Sequence, residues 1–144
     1  MGNVNSYERN VQKINFEDVQ FILKTKEGSI LINTLPFNEQ KCLLPNTINI
    51  EQEEQIINNL LQIGKKEYRI VIYGKNSSDD TVYKQAQKLQ TLGFHNIYVY
   101  AGGLFEWLML QDIYSDDNFP TTEIELDFLK FKPKRALGIP LIDY

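Results

Sequence analysis

Residues 96–107 read Asn96-Ile97-Tyr98-Val99-Tyr100-Ala101-Gly102-Gly103-Leu104-Phe105-Glu106-Trp107. Asn96–Tyr100 is almost wholly apolar and aromatic over a short run, which predicts a strand buried on both faces. Gly102 and Gly103 break the chain, and Leu104–Gln111 follows as a short helix carrying Phe105 and Trp107. The same alternation extends upstream. Arg69–Tyr73 is a second buried strand, Gly74–Ser78 a glycine and polar turn, and Asp80–Leu92 a helix stopped by Gly93. Glu51–Ile63 opens with acids, places Ile56, Ile57, Leu60 and Leu61 at helical spacing and is closed by Gly64. Ahead of it lie a short strand at Thr47–Ile50 and, between Gly28 and Pro36, the buried strand Ser29–Asn33. Asn15, followed by Glu17 and Asp18, reads as the N-cap of a helix whose inner face is Phe16, Val19, Ile22 and Leu23. Strands alternating with helices predict an α/β domain, a central mainly parallel sheet flanked by helices on both faces.

The chain is one domain long, at 144 residues, and 42% hydrophobic residues against 24% charged is an ordinary globular mixture. Lys+Arg 15 against Asp+Glu 19 gives net −4, so the basic field that nucleic-acid binding draws on is missing. One cysteine, Cys42, forbids an internal disulfide, and with one histidine, His95, it excludes a zinc site of Cys/His type. No cofactor motif is present. The absence of an apolar run near the roughly 18 residues of a membrane span, and of a secretory h-region, predicts a cytoplasmic protein.

Three stretches resemble the rhodanese homology domain, between about Ile14 and Gln111. Ile30–Asn33, then Glu39 and Leu44-Pro45-Asn46-Thr47-Ile48-Asn49-Ile50, is similar to the family's LIDVR…E…GHIPGAINI passage. Ile70–Tyr73, a polar loop, a helix and Gly93-Phe94 resemble its VVYC…GF passage. Asn96–Tyr100, Gly102-Gly103 and Trp107 resemble NVYxLxGGxxxW, the most specific of the three. The resemblance implies a three-layer α/β domain spanning 14–112, preceded by a flexible N-terminal arm over 1–13. A C-terminal extension, 113–144, is too apolar for a disordered tail and is expected to pack on the domain or meet a partner.

Family chemistry places a cysteine thiolate directly after the Ile70–Tyr73 strand, where backbone amides cradle its charge as it carries sulfur or phosphate. That position is Gly74, which has no nucleophile. The loop Gly74, Lys75, Asn76, Ser77, Ser78, Asp79 lacks the usual arginine and runs into Asp79-Asp80, whose carboxylates would occupy or repel an anion site. Asn33 and Leu35 replace the strand-end Asp–x–Arg pair, and Leu43 replaces the histidine before the IPG motif. The resemblance thus implies a catalytically inactive member that works by binding or scaffolding, with the vestigial loop Asn76–Asp79 as an interaction surface.

Cys42 leaves an alternative open, a divergent sulfurtransferase or persulfide carrier using that thiol. With no base beside it, its pKa is expected near the ordinary value of about 8.5. The Lys75–Ser78 stretch lacks the spacing of a phosphate-binding P-loop. Met1-Gly2-Asn3-Val4-Asn5-Ser6 fits the myristoylation pattern, with Gly2 as the lipid attachment point. A single myristoyl chain binds membranes only with a constant on the order of 10⁴ M⁻¹. Lys130, Lys132, Lys134 and Arg135, with Phe131 between them, are the second signal that could hold it at the cytoplasmic face of a membrane.

Overall fold

The computed structural model of the chain describes residues 11–25 and 27–138. Its elements alternate as expected: β1 (Gln12–Ile14), α1 (Phe16–Thr25), β2 (Ser29–Asn33), α2 (Glu53–Gln62), β3 (Arg69–Tyr73), α3 (Thr81–Thr91), β4 (Ile97–Tyr100) and α4 (Gly103–Tyr114), then a short 3-10 turn at Phe128–Phe131. The strands form one sheet in the order β1-β4-β3-β2, and all three pairings are parallel. Parallel neighbours need crossover helices, which cover both sheet faces and call for the apolar centres of β2, β3 and β4, whereas β1 at the edge is Gln12-Lys13-Ile14 and mostly exposed.

Strand alternation sorts the core into two layers. Leu31, Val71, Tyr73 and Tyr100 face α1 and α4, where Val19, Ile22, Leu104 and Trp107 are buried. Ile32, Ile70, Ile72 and Val99 face α2 and α3, against Ile57, Val82, Ala86 and Leu89. The expected N-cap is present in reciprocal form: the Asp18 amide donates to Asn15 Oδ1 at 3.1 Å, and the Asn15 amide donates to Asp18 Oδ2 at 3.1 Å. The two orphan amides at that helix end are satisfied by each other's side chains.

Three expectations are corrected. The N-terminal arm does not run to residue 13, because Gln12–Ile14 pairs with Tyr98–Tyr100 as the edge of the sheet. Three residues are too few to show a period, so that strand has no sequence signature. Thr47–Ile50 is no strand: Thr47 makes a single bridge to Leu31, Ile48 donates to the Leu31 carbonyl at 2.8 Å, and the chain then turns. The last helix runs past Gln111 to Tyr114. Gly2, with the rest of 1–10, lies outside the described residues.

The described part of the extension, to residue 138, packs back on the first core layer. Phe119 and Phe131 are buried there, and Phe119 lies edge-on to Trp107 with ring centroids 5.0 Å apart. Trp107, fully buried, donates its indole N–H to the Pro120 carbonyl at 2.9 Å, and Gln111 donates to the Phe119 carbonyl at 2.7 Å. Buried polar groups on α4 thus find their partners in the extension.

Candidate functional site

The loop after β3 lies at the carboxyl end of the sheet, the end where open α/β folds place their ligands. Gly74 is buried, and α4 begins directly against it: the Leu104 amide donates to the Gly74 carbonyl at 2.9 Å and the Phe105 amide to the Lys75 carbonyl at 2.8 Å. This approach explains the double glycine. Gly103 has φ +68°, and a Cβ there would lie 2.8 Å from both the Asn76 nitrogen and the Gly74 oxygen. At Gly102 a Cβ would fall on the Glu106 carboxylate, which accepts a 2.6 Å hydrogen bond from the Tyr100 hydroxyl.

Asp79 fills the loop from inside. Its Oδ2 accepts the Lys75 amide at 3.1 Å, and its Oδ1 accepts the Thr81 amide at 3.1 Å and the Thr81 hydroxyl at 2.6 Å. A Cβ at position 74 would lie 2.5 Å from Asp79 Oδ2 and 2.8 Å from Thr34 Oγ1, closer than real Cβ contacts. A larger residue at 74 therefore requires Asp79 to withdraw.

Asn76 was expected on the surface and is buried instead. Its Nδ2 donates to the Phe131 carbonyl at 2.8 Å while its Oδ1 accepts the Ser78 amide at 2.9 Å, so it ties the loop to the C-terminal extension. Ser77 and Ser78 are exposed, and Lys75 is paired with Glu39 at 3.4 Å. Of the family's missing charges, Asn33 is turned to structure: its Oδ1 accepts the Leu35 amide at 3.0 Å and the Gln40 amide group at 2.8 Å. Leu35 and Leu43 are core residues.

Cys42 is buried beneath the extension, its Sγ donating to the Glu123 carbonyl at 3.2 Å. Burial raises its pKa, with the Glu125 and Glu123 charges adding and a Thr121 hydrogen bond opposing; the expectation of an ordinary value does not hold. His95 is exposed, as expected of a turn residue. Phe131 is in the core, with the Lys130 ammonium over its ring at 5.5 Å from the centroid, and Lys132, Lys134 and Arg135 are exposed. Among the described residues no group of His, Cys, Asp or Glu is placed to hold a metal, and no helix is long and apolar enough to cross a membrane.

One feature of this end carried no sequence signal. Thr81 Oγ1, whose proton goes to Asp79, accepts from the Thr34 hydroxyl at 2.8 Å, at one end of a groove of about 810 Å³ that runs between α2 and α3 over Leu35, Ile57 and Leu89. Glu53 on its wall accepts Gln85 Nε2 at 2.9 Å; burial raises the Glu53 pKa, partly offset by the Lys88 charge. Isolated threonines at two strand and helix ends cannot be paired by reading along the chain.

Residues 17–110 match the rhodanese-like domain family, and the chain belongs to it. Solved structures agree on the fold. A rhodanese-like domain from Anabaena sp. superposes with TM-score 0.56 at 16% identity, covering 90% of this chain and 89% of that one. The polysulfide-sulfur transferase homodimer of Wolinella succinogenes gives 0.54 at 18%, covering 75% and 80%. The thiosulfate sulfurtransferase of Pseudomonas aeruginosa gives 0.58 at 18%, but the match covers 74% of this chain and only 20% of that enzyme. No curated protein sequence matches.

Proposed function

We propose that this chain is a rhodanese-like module that binds a protein partner and performs no sulfur transfer. The observation carrying the reading is the seat of Asp79: its carboxylate takes the Lys75 amide and crowds the place where a side chain at position 74 would begin. A loop built to hold a thiolate-borne anion would instead offer those amides to substrate. An internal carboxylate already neutralises the field there. Thiolate formation at Cys42 is disfavoured by its burial, and a thiolate is the nucleophile that sulfur transfer needs. The exposed part of the loop, Ser77 and Ser78, is the partner-facing surface.

The proposal includes lipid recruitment. The Gly2–Ser6 motif supports myristoylation in a eukaryotic cell and a place at the cytoplasmic face of a membrane. The test has two arms. With thiosulfate and cyanide the full chain should show no turnover above buffer, and Cys42→Ser should change nothing; cysteine-dependent turnover would select the sulfurtransferase reading. Intact mass after expression in eukaryotic cells should carry a myristoyl increment that Gly2→Ala removes. An unmodified mass would discard the membrane part and leave the binding module.

A further inference from the structure

We infer that the surface from the end of α4 to Leu137 is self-complementary and docks a second copy of this chain. Charge is sharply divided along this stretch. Asp112, Asp116, Asp117, Glu123, Glu125 and Asp127 are its six acids, with no Lys or Arg before Lys130; four bases then follow by Arg135.

The acidic half is also the apolar half. A groove of about 240 Å³ runs between α4 and the extension, with Leu108 and Phe128 lining it, Ile124 and Leu126 at its rim, and Asp112 and Asp116 on its wall. Leu126 is 81% exposed. The basic half starts at Lys132, four residues beyond Phe128, and ends on Leu137, 87% exposed. Lys130 pairs with Glu125 at 2.8 Å at the junction, whereas Lys132, Lys134 and Arg135 point to solvent and do not line the groove. Among the described residues, the basic run and the acidic groove of one copy therefore do not meet.

A twofold dimer requires both halves of the contact on one patch of one subunit, which this surface supplies. Each copy's basic run would lie along the other's acidic groove, burying Leu126 and Leu137 of both. Apolar burial would supply the affinity, and the rim charges would fix orientation and select against a parallel arrangement that sets acid against acid. The inference does not depend on whether the loop after β3 is catalytic.

Sedimentation velocity on the full chain decides it. At about 100 µM and low salt, a contact of micromolar affinity should give a species of twice the 16.8 kDa monomer mass. Asp112→Lys with Asp116→Lys, and separately Lys132→Glu with Lys134→Glu, should each weaken association at least tenfold, and an equimolar mixture of the two should restore the dimer. Leu126→Asn, at a site too exposed to endanger folding, should also weaken it. Lys84→Glu, on α3 across the sheet, should not. A monomer at that concentration would overturn the inference, as would a dimer indifferent to both charge reversals or a monomer whose basic run binds anionic vesicles.

Discussion

Gly103 and Asp79 set the character of the loop after β3. Gly103→Ala places a methyl 2.8 Å from two backbone atoms of the loop, at φ +68°. It should cost on the order of 2–4 kcal/mol by combining left-handed strain with a backbone clash, read as a shift of the urea midpoint. Gly74→Cys should give a less stable protein without thiosulfate turnover, because Asp79 occupies the adjoining space. Asp79→Ala loses the hydrogen bonds to Lys75 and Thr81, yet it should cost less stability in the Gly74→Cys background than in the unaltered chain; equal costs would show that the clash lies elsewhere. Asn76→Ala strands the Phe131 carbonyl and the Ser78 amide, and should cost about 1–3 kcal/mol while speeding protease cleavage within 119–138. At this scale the sequence announced what was missing at 74 but not what replaced it. The Asp79 carboxylate turns inward through a four-residue loop contact, whereas the residue order alone left it equally able to face solvent.

Among the elements, α1 and the strands β2, β3 and β4 were legible because each carries its own evidence: the Asn15 cap, and apolar runs bounded by Gly28, Gly74 and Gly102. What escaped was made by other parts of the chain. β1 exists only because β4 presents an edge to it, and the Thr47–Ile50 stretch fails as a strand because only Thr47 finds a partner, Leu31. The apolar content of the extension did forecast its return to the domain, and Trp107 shows how it is held. Trp107→Phe removes the hydrogen bond to the Pro120 carbonyl and leaves part of the indole volume empty. A loss of about 2–3 kcal/mol is expected, together with faster alkylation of Cys42, which the extension covers. Unchanged alkylation would mean that the extension and α4 open independently.

For the whole molecule, pH dependence should carry the mark of Glu53. Its pKa is raised in the folded state by burial, so folding favours the protonated form. That stabilisation is complete below the unfolded value and fades as pH rises through the folded one. Glu53→Gln should therefore melt about 1–2 °C higher at neutral pH, a small effect because the group is only half-buried, and the difference should close near pH 3. A gap that widens on acidification would reverse the sign of the assignment. The sheet order has a different consequence, in time rather than in energy. β1 is made first yet pairs only with β4, about 85 residues later in the chain. At about 5–20 residues per second of synthesis, the first strand waits several seconds for its neighbour, and until then the growing chain has only the pair β2 and β3, with the side of β3 that β4 will cover still open. Any mutation that slows passage from β3 to β4 lengthens that exposure, so the yield of soluble protein should respond to the 74–96 connection more than its thermodynamic contribution suggests.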